Sequence, residues 1–287
     1  MSDTYNTRVL AGVLLDTDTG DRQRYVTDIK GWDDAPENRF NLVDRAGQDG
    51  AYDSSGSVSV RVIEVAGMVK EADHASALAT ARDLTNIRPQ LLHQFTCTNS
   101  EVGTLTAFVR ITKSVKIEWI GDRLFTYTLA VTAPDPLKYG DRTFGRVTLD
   151  VEGSVGGIGL QYPLTYPLSY GVPGAGSTSA LALENNGALP YWPNLRMDGM
   201  VRNPIVTLQE TGATLKYNAT LPNGQWLEWD LANRRVLLQG QLSMRTRVTA
   251  TGNWLAVPPG GGSVSWSADE ADSAAALSVW GYKEVYA

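Results

Sequence analysis

The residues best suited to recognition chemistry lie on a short segment in the second half of the chain, Gln225–Leu231. Because alternate side chains of a strand point to opposite faces, Trp226, Glu228 and Asp230 are predicted to share one face. An exposed indole beside carboxylates can bind a sugar, since the ring stacks on the sugar and the acids accept hydrogen bonds from its hydroxyls.

Two further aromatic residues lie on the last predicted strand. Trp280 and Tyr282 alternate with Leu277 and Val279, so they are predicted to face away from a core. Two interpretations stay open for these residues. In the first, Trp226, Trp280 and their polar neighbours bind a glycan. In the second, a two-layer fold buries one face and a partner subunit covers part of the other.

The sequence offers little material for metal or cofactor chemistry. Only two histidines occur, His74 and His93, and no ligand spacing surrounds them. The segment Asp16–Gly20 begins like a calcium loop but lacks the later glycine and glutamate, which favours a hairpin turn. We therefore predict no cofactor, no metal site and no catalytic residue.

A polysaccharide-degrading enzyme is the weakest functional hypothesis. Glycosidases use two carboxylates, and Glu228 and Asp230 are the first pair to consider. Nothing in the pattern distinguishes these two from the other acids, so the sequence predicts a protein that is not an enzyme.

Composition excludes further classes of partner. The 287 residues carry a formal net charge of −6 and no basic block, which argues against sequence-specific binding of nucleic acid. No apolar run reaches the roughly 18 to 20 residues that cross a membrane, and no signal peptide is predicted. The single cysteine, Cys97, excludes an internal disulfide and fits synthesis in the cytosol.

Residues 1–150 are predicted to form a β-barrel or β-sandwich with one helix. The helix is expected over Glu71–Ile87, with a small-residue face. Pro134 and Pro136 lack the amide hydrogen that a ladder needs, so they should end the last strand. The predicted strands are Thr7–Leu15, Gln23–Ile29, Val58–Val69, Leu91–Cys97, Thr104–Thr112, Val115–Trp119 and Leu124–Ala133. The predicted helix face comprises Ala75, Leu78, Ala79, Ala81, Arg82 and Leu84.

Residues 151–172 are predicted to be an extended connector rich in glycine, proline and tyrosine. Residues 173–287 are predicted to form a second domain, a β-sandwich or jelly roll of short strands. These strands are Asn203–Leu208, Thr214–Asn218, Gln225–Leu231, Arg235–Leu238, Val248–Thr251, Asn253–Val257, Gly262–Ala268 and Leu277–Tyr282.

Several segments resemble a known family. The strand that runs into Ala133-Pro-Asp-Pro-Leu-Lys-Tyr139 is similar to the distal tail proteins of long-tailed, non-contractile bacteriophages. The similarity covers nearly the whole chain. Further segments that carry it are Asp49–Tyr52, Val58–Gly67, Ala81–Leu84, Asn203–Ile205, Trp254–Gly260 and Val279–Tyr282. The connector segment Gly159–Leu168 is similar to tail proteins of phages that infect actinobacteria.

The resemblance implies a mainly β architecture with an N-terminal ring-forming domain and a C-terminal galectin-like sandwich. It also implies a homo-hexameric ring in the virion tail tip, between the tail tube protein and the tail-tip hub. DNA would pass unbound through the lumen of that ring. The sandwiches would point outward and carry receptor-binding proteins or touch host glycan. The alternative function is a carbohydrate-binding module that recognises host cell-wall glycan through the second domain.

A physical argument that does not depend on the family resemblance also favours assembly. One helix beside many strands leaves sheet edges and apolar faces that a monomer must hide. Closed rotational assembly hides both, which agrees with a ring.

Overall fold

The computed structural model describes residues 7–40, 42–52, 56–101, 103–148, 180–272 and 274–287. Within these residues the chain is mainly β with one α-helix, as the alternation of side chains predicted. The chain divides into two compact units. The first runs to Gly140 and includes Tyr286 and Ala287, and the second runs from Asp141 to Val285. The predicted connector, residues 151–172, lies outside the described residues.

The first unit is built around a large antiparallel sheet with strands in the order β2-β1-β10-β11-β12-β9-β4-β3. The buried face of this sheet carries large apolar side chains such as Ile63, Phe95 and Phe125. The elements of the unit are β1 (Thr7–Leu10), β2 (Val13–Leu14), β3 (Thr17–Asp18), β4 (Gln23–Lys30), β5 (Asn38–Arg39), β6 (Val43–Asp44), β7 (Ala51–Tyr52), β8 (Ser57–Val58), β9 (Arg61–Lys70), α1 (His74–Thr85), β10 (His93–Asn99), β11 (Gly103–Gly121), β12 (Leu124–Ala133) and β13 (Lys138–Tyr139).

The two end strands of this sheet are neighbours in the chain, because only Leu15 and Asp16 separate β2 from β3. The Asp16 carboxylate accepts a hydrogen bond from the Arg8 guanidinium at 3.1 Å and another from the Val26 amide at 3.0 Å. Arg8 belongs to β1 and Val26 to β4, so one carboxylate links both ends of the sheet. The two ends of the sheet therefore lie next to each other.

The hairpin interpretation of Asp16–Gly20 is confirmed. Thr17 and Asp18 pair with Arg24 and Gln23 in the β3–β4 ladder. The Asp18 carboxylate accepts from the Gly20 amide at 3.2 Å. It also accepts from the Tyr25 hydroxyl, and that bond holds the pKa of Asp18 below its ordinary value.

Helix α1 is shorter than predicted because Asp73 caps it. The Asp73 carboxylate accepts from the Ser76 amide at 2.8 Å, which satisfies a free donor of the first turn. The predicted small-residue face is only partly right, because alanines occur on every side of this helix and select no face. The buried residues are Ala77, Thr80, Ala81 and Leu84, whereas Ala75, Ala79 and Arg82 are exposed.

A fully buried carboxylate fixes the helix against the sheet. Glu71 is 0% exposed and accepts hydrogen bonds from Arg22 at 2.7 Å and from Arg24 at 2.8 Å. The Thr80 hydroxyl, on the buried side of α1, donates to the same carboxylate at 3.1 Å. Arg24 also donates to the Leu14 carbonyl at 3.0 Å. Glu71 thus joins α1 to the beginning of β4, and Arg24 extends the connection to β2.

Two buried cations hold the segment that follows β12. Arg61 donates to the Pro136 carbonyl at 2.9 Å and to the carbonyls of Gly31 and Trp32 at 2.8 and 3.0 Å. Lys138 donates to the same Trp32 carbonyl at 3.0 Å. Burial lowers the pKa of both side chains, and each charge is met mainly by backbone carbonyls. The Pro-Asp-Pro-Leu-Lys segment is therefore tied to the turn after β4.

Between β4 and β9, the chain leaves the sheet as two short two-stranded ladders. Strand β5 pairs with β8, and β6 pairs with β7. We call the described residues of 38–58 the hairpin arm. Its larger apolar side chains are mostly exposed, with Phe40 at 62% and Tyr52 at 61%. A two-stranded ladder with exposed apolar side chains is marginal in water unless another surface covers it.

The second unit contains two main antiparallel sheets, in the orders β14-β27-β16-β21-β22-β23 and β15-β25-β18-β19-β24. One face of each sheet is buried: Trp229 lies between Leu195 and Val236, and Val206 lies between Leu215 and Trp266. The strands of this unit are β14 (Arg142–Thr148), β15 (Leu181–Leu183), β16 (Asn194–Asp198), β17 (Val201–Arg202), β18 (Ile205–Leu208), β19 (Ala213–Tyr217), β20 (Thr220–Leu221), β21 (Trp226–Asp230), β22 (Arg235–Leu238), β23 (Leu242–Ser243), β24 (Val248–Thr251), β25 (Gly262–Ser267), β26 (Glu270–Ala271) and β27 (Ala276–Tyr282). The last strand, β28 (Val285–Tyr286), spans the boundary of the two units.

Three predictions need correction. Residues 141–148 were assigned to the first domain, but Arg142–Thr148 pairs with β27 and belongs to the second unit. The predicted strand Thr7–Leu15 is a hairpin, because Ala11 and Gly12 adopt positive φ angles of 52° and 85°. The predicted strand Asn253–Val257 is a turn for a similar reason. Trp254 and Leu255 have φ angles of 48° and 53°, which no strand accommodates.

We predict that Glu71→Gln destabilises the first unit by about 3 kcal/mol, because it removes the counter-charge of Arg24, whose side chain is only 13% exposed. The free energy of unfolding in urea measures the loss. Hydrogen exchange resolved by mass spectrometry assigns it to α1 and β4. The matched control is Glu64→Gln, whose exposed carboxylate pairs with Lys113 at 2.9 Å and should matter by less than about 1 kcal/mol. Equal effects of the two substitutions would contradict the role given to Glu71.

Candidate functional site

The predicted site residues lie on the outer face of the six-stranded sheet. Trp226, Glu228 and Asp230 are half-buried on one side of β21, and Leu227 and Trp229 are fully buried on the other. Trp280 and Tyr282 are half-buried on the same outer face of β27. The face assignment made from the alternation of side chains is therefore confirmed.

The strand register brings one row of these side chains together. Across five neighbouring strands, the paired residues are Phe144, Trp280, Asn194, Asp230 and Arg235. Directly opposed residues of antiparallel strands point to the same face. The next row along includes Arg196 and Glu228. Aromatic, amide, acidic and basic groups thus form a continuous surface.

A cavity of about 380 Å³ opens on this surface, and we call it the outer-face cavity. It contains four of the five predicted residues: Glu228, Asp230, Trp280 and Tyr282. The remaining lining residues are Arg142, Asn194, Trp229, Arg235, Leu237 and Gly281. Its volume lies within the range of about 300 to 1,000 Å³ that is typical of small-ligand sites.

Trp226 does not line the cavity. The guanidinium of Arg196 lies over its ring, 4.5 Å from the centroid. Two hydrogen bonds of 2.8 and 2.6 Å to the Asp198 carboxylate hold Arg196 in that position. One face of the Trp226 indole is therefore occupied within the fold. Trp226 therefore differs from Trp280, which lines the cavity.

Some charged groups of the cavity have interaction partners within the protein, and others have none among the described residues. Asp230 accepts from the Asn233 amide and side chain at 3.1 and 2.8 Å, which fixes the turn after β21. The Arg142 guanidinium lies 5.8 Å from the Tyr282 ring centroid. Among the described residues, no hydrogen bond or ion pair engages the side chains of Glu228 and Arg235. These two groups are available to a ligand.

Sequence reasoning missed three polar lining residues, Arg142, Asn194 and Arg235. Asn194 begins β16, a strand that the sequence analysis did not predict. Arg142 was assigned to the other domain. In residues 142–147, large side chains alternate with smaller ones, and the large ones are Arg142, Phe144 and Arg146. This pattern could have indicated a strand with these three side chains on its exposed face. It does not show which strand pairs with it.

Tyr191 supports the aromatic wall from the buried side. It is 3% exposed, and its ring meets the Tyr282 ring edge-on at 6.3 Å. A Cβ atom at position 281 would come within 2.5 Å of the Tyr191 hydroxyl oxygen, so this contact requires Gly281. The Tyr191 hydroxyl donates to the Glu184 carbonyl at 3.3 Å, and burial raises its pKa to about 12.

The two histidines have structural contacts. His74 Nδ1 donates to the Asp122 carbonyl at 2.6 Å, and His93 Nε2 donates to the Arg88 carbonyl at 2.7 Å. The described part of the chain contains no group of three or more metal-binding side chains. Its one α-helix is too short to span a bilayer.

Comparisons by sequence find no match, either among protein-family models or among curated proteins. Comparison by structure does. The crystal structure of the SPP1 Dit (gp 19.1) protein, a paradigm of hub adsorption apparatus in phages infecting Gram-positive bacteria, aligns with a TM-score of 0.61. That alignment covers 98% of this chain and 99% of the other at 15% identity. The chain has the fold of a phage distal tail protein.

A second solved structure agrees with this fold. A chain of the phage P2 baseplate, in its activated conformation with Ca, aligns with a TM-score of 0.51 at 11% identity. The alignment covers 91% of each chain. The Dit-like fold expected from the Ala133–Tyr139 segment is therefore confirmed, and the actinobacterial origin stays a prediction.

We predict that ionisation of Tyr191 destabilises the second unit in alkali. The ordinary pKa of tyrosine is 10.0 and that of Tyr191 is about 12. Between these values the unfolded chain releases the proton while the folded chain keeps it. The free energy of unfolding therefore falls as pH rises from 10 towards 12, by at most about 1.4 kcal/mol per pH unit.

Urea unfolding at pH 8 and pH 11 measures this effect, with Tyr191→Phe as the matched variant. The variant loses the hydroxyl and should show a smaller decrease in stability between the two pH values. Identical pH dependence of the two proteins would exclude Tyr191 as the cause.

Proposed function

We propose that this protein is a structural subunit of a phage tail tip, where six copies form a ring that joins the tail tube to the tail-tip hub. The observation that carries the proposal is the end-to-end agreement with the SPP1 Dit protein, which covers 98% of this chain. The agreement includes residues of both units and is not confined to one of them. DNA passes through the lumen of the ring without being bound in a sequence-specific way.

The hairpin arm supports self-association. It exposes Phe40, Leu42, Val43, Tyr52 and Val58, each at least 45% accessible. Its ladders are only two strands wide, so backbone donors and acceptors remain at their edges. Both features favour contact with another protein surface. A ring of identical copies supplies such a surface at every position.

The proposal assigns partners to each part of the assembly. The first unit forms the ring and contacts the tail tube protein and the hub, and the second unit carries receptor-binding proteins. The subunit is made in the host cytoplasm and resides in the virion tail tip. It acts without a cofactor and without enzymatic activity.

The mass and shape of the purified protein test the ring directly. Light scattering should give about six times the chain mass of 31.1 kDa, and negative-stain images should show a ring with a central hole. A protein that remains monomeric at high concentration, and that also fails to associate with its tail tube and hub proteins, would overturn the proposal.

We predict that Phe40→Ser combined with Tyr52→Ser shifts the assembly to monomers, because the two most exposed apolar side chains of the hairpin arm are lost. Mass photometry at a fixed concentration measures the distribution. The matched control is Phe144→Ser, since Phe144 is 63% exposed but lies in the second unit. That variant should assemble as the unaltered protein does. Full assembly of the double variant would show that the hairpin arm is not part of the interface.

A further inference from the structure

The chain contains two Asn-Gly pairs, Asn186-Gly187 and Asn223-Gly224. An asparagine side chain that precedes glycine can react with the next backbone amide, because glycine carries no Cβ atom to obstruct the approach. The product is a cyclic imide, which water opens to aspartate or isoaspartate. The reaction needs a backbone amide that is free of hydrogen bonds and a peptide that can rotate. The fold provides these conditions at one of the two pairs and denies them at the other.

Asn223 and Gly224 form an exposed turn between β20 and β21. The Gln225 amide donates to the Pro222 carbonyl at 3.2 Å and closes this turn. Gly224 has a φ angle of 76°, as the third residue of a type II turn requires. Among the described residues, no hydrogen bond engages the Gly224 amide or the Asn223 side chain. The attacking nitrogen and the carbon that it attacks therefore both belong to exposed, unengaged groups.

The turn is not held by a ladder either. Strand β20 pairs with β17 in the three-stranded sheet, whereas β21 pairs with β16 and β22 in the six-stranded sheet. The turn thus crosses from one sheet to another instead of closing a hairpin. A Cβ atom built at position 224 would meet no described heavy atom within 4 Å. The peptide between Asn223 and Gly224 therefore has room to rotate.

The other pair is fixed in place. Gly187 is buried, and its amide donates to the Asn185 side-chain oxygen at 3.1 Å. The Asn186 amide donates to the Lys283 carbonyl at 2.6 Å. A Cβ atom at position 187 would collide with the Val285 backbone, so the peptide is packed closely against β28. The Gly187 nitrogen is therefore engaged and cannot turn towards the Asn186 side chain.

We propose that Asn223 is a site of spontaneous deamidation, with the Gly224 amide as the nucleophile and water as the co-reactant. The amide nitrogen bonds to Asn223 Cγ and loses its proton, and the side-chain nitrogen leaves as ammonia. Water then breaks one of the two C–N bonds of the imide. Cleavage at Cγ gives aspartate, and cleavage at the main-chain carbonyl carbon gives isoaspartate. Both products place a negative charge at the entry to β21, and isoaspartate also lengthens the main chain there.

The test incubates the full folded chain in mildly alkaline buffer and follows each asparagine by proteolysis and mass spectrometry. The Asn223 peptide should gain about 1 Da as an amide becomes an acid. This gain should be at least about tenfold faster than at Asn186. Electron-transfer fragmentation distinguishes the aspartate from the isoaspartate product. Asn223→Gln should abolish the gain at that position, because its longer side chain must close a larger ring.

The same incubation in urea shows whether the fold causes the difference. In the unfolded chain the two Asn-Gly pairs lose their contacts, so Asn186 and Asn223 should react at similar rates. Three results would overturn the proposal. They are a folded protein that gains no mass at Asn223 while the unfolded chain does, equal rates at the two sites in the folded protein, and a rate difference that persists unchanged in urea.

Discussion

Strand register is the constraint on which the surface of the second unit depends. In the six-stranded sheet, β16 pairs with β27 on one side and with β21 on the other, which places Asn194 between Trp280 and Asp230. Side chains alternate with a period of two, so a slip by one residue would bury the charged row and expose the apolar one. The buried row, with Leu195 between Val279 and Trp229, therefore secures the register. Packing on one face of the sheet thus specifies the chemistry on the other.

The first unit relies on a different device, in which buried polar groups connect segments that are distant in sequence. Glu71 joins two arginines to the helix, and Arg61 and Lys138 bind backbone carbonyls of the turn after β4 and of the segment after β12. These contacts assign structural roles to residues of the Pro-Asp-Pro-Leu-Lys-Tyr segment, which resembles distal tail proteins. The two prolines end β12, the Pro136 carbonyl receives Arg61, and Lys138 reaches the Trp32 carbonyl. Losing one partner of such a network leaves buried charge uncompensated, which constrains substitution at all of these positions.

Local patterns predicted the fold class and the inward or outward direction of the site residues, because strand alternation is a property of neighbouring residues. They did not predict which strands pair. Asn194, Arg142 and Arg235 reach the cavity through pairings between distant segments, and nothing local distinguishes the covered Trp226 from the accessible Trp280. Turns with non-glycine residues at positive φ, such as Trp254 and Leu255, also resemble strands in sequence because their side chains are buried. The helix face was only partly predicted, since Thr80 is buried through its bond to Glu71 and not through hydrophobicity.

The proposed role in a phage tail tip is tested most directly by locating this chain in purified virions. Purified virions labelled with a gold-conjugated antibody against this chain can be imaged by electron microscopy. A tail-tip subunit predicts label at the end of the tail distal to the capsid, with none along the tube or on the capsid. Absence of the chain from purified virions, or label distributed along the whole tail, would contradict the claim.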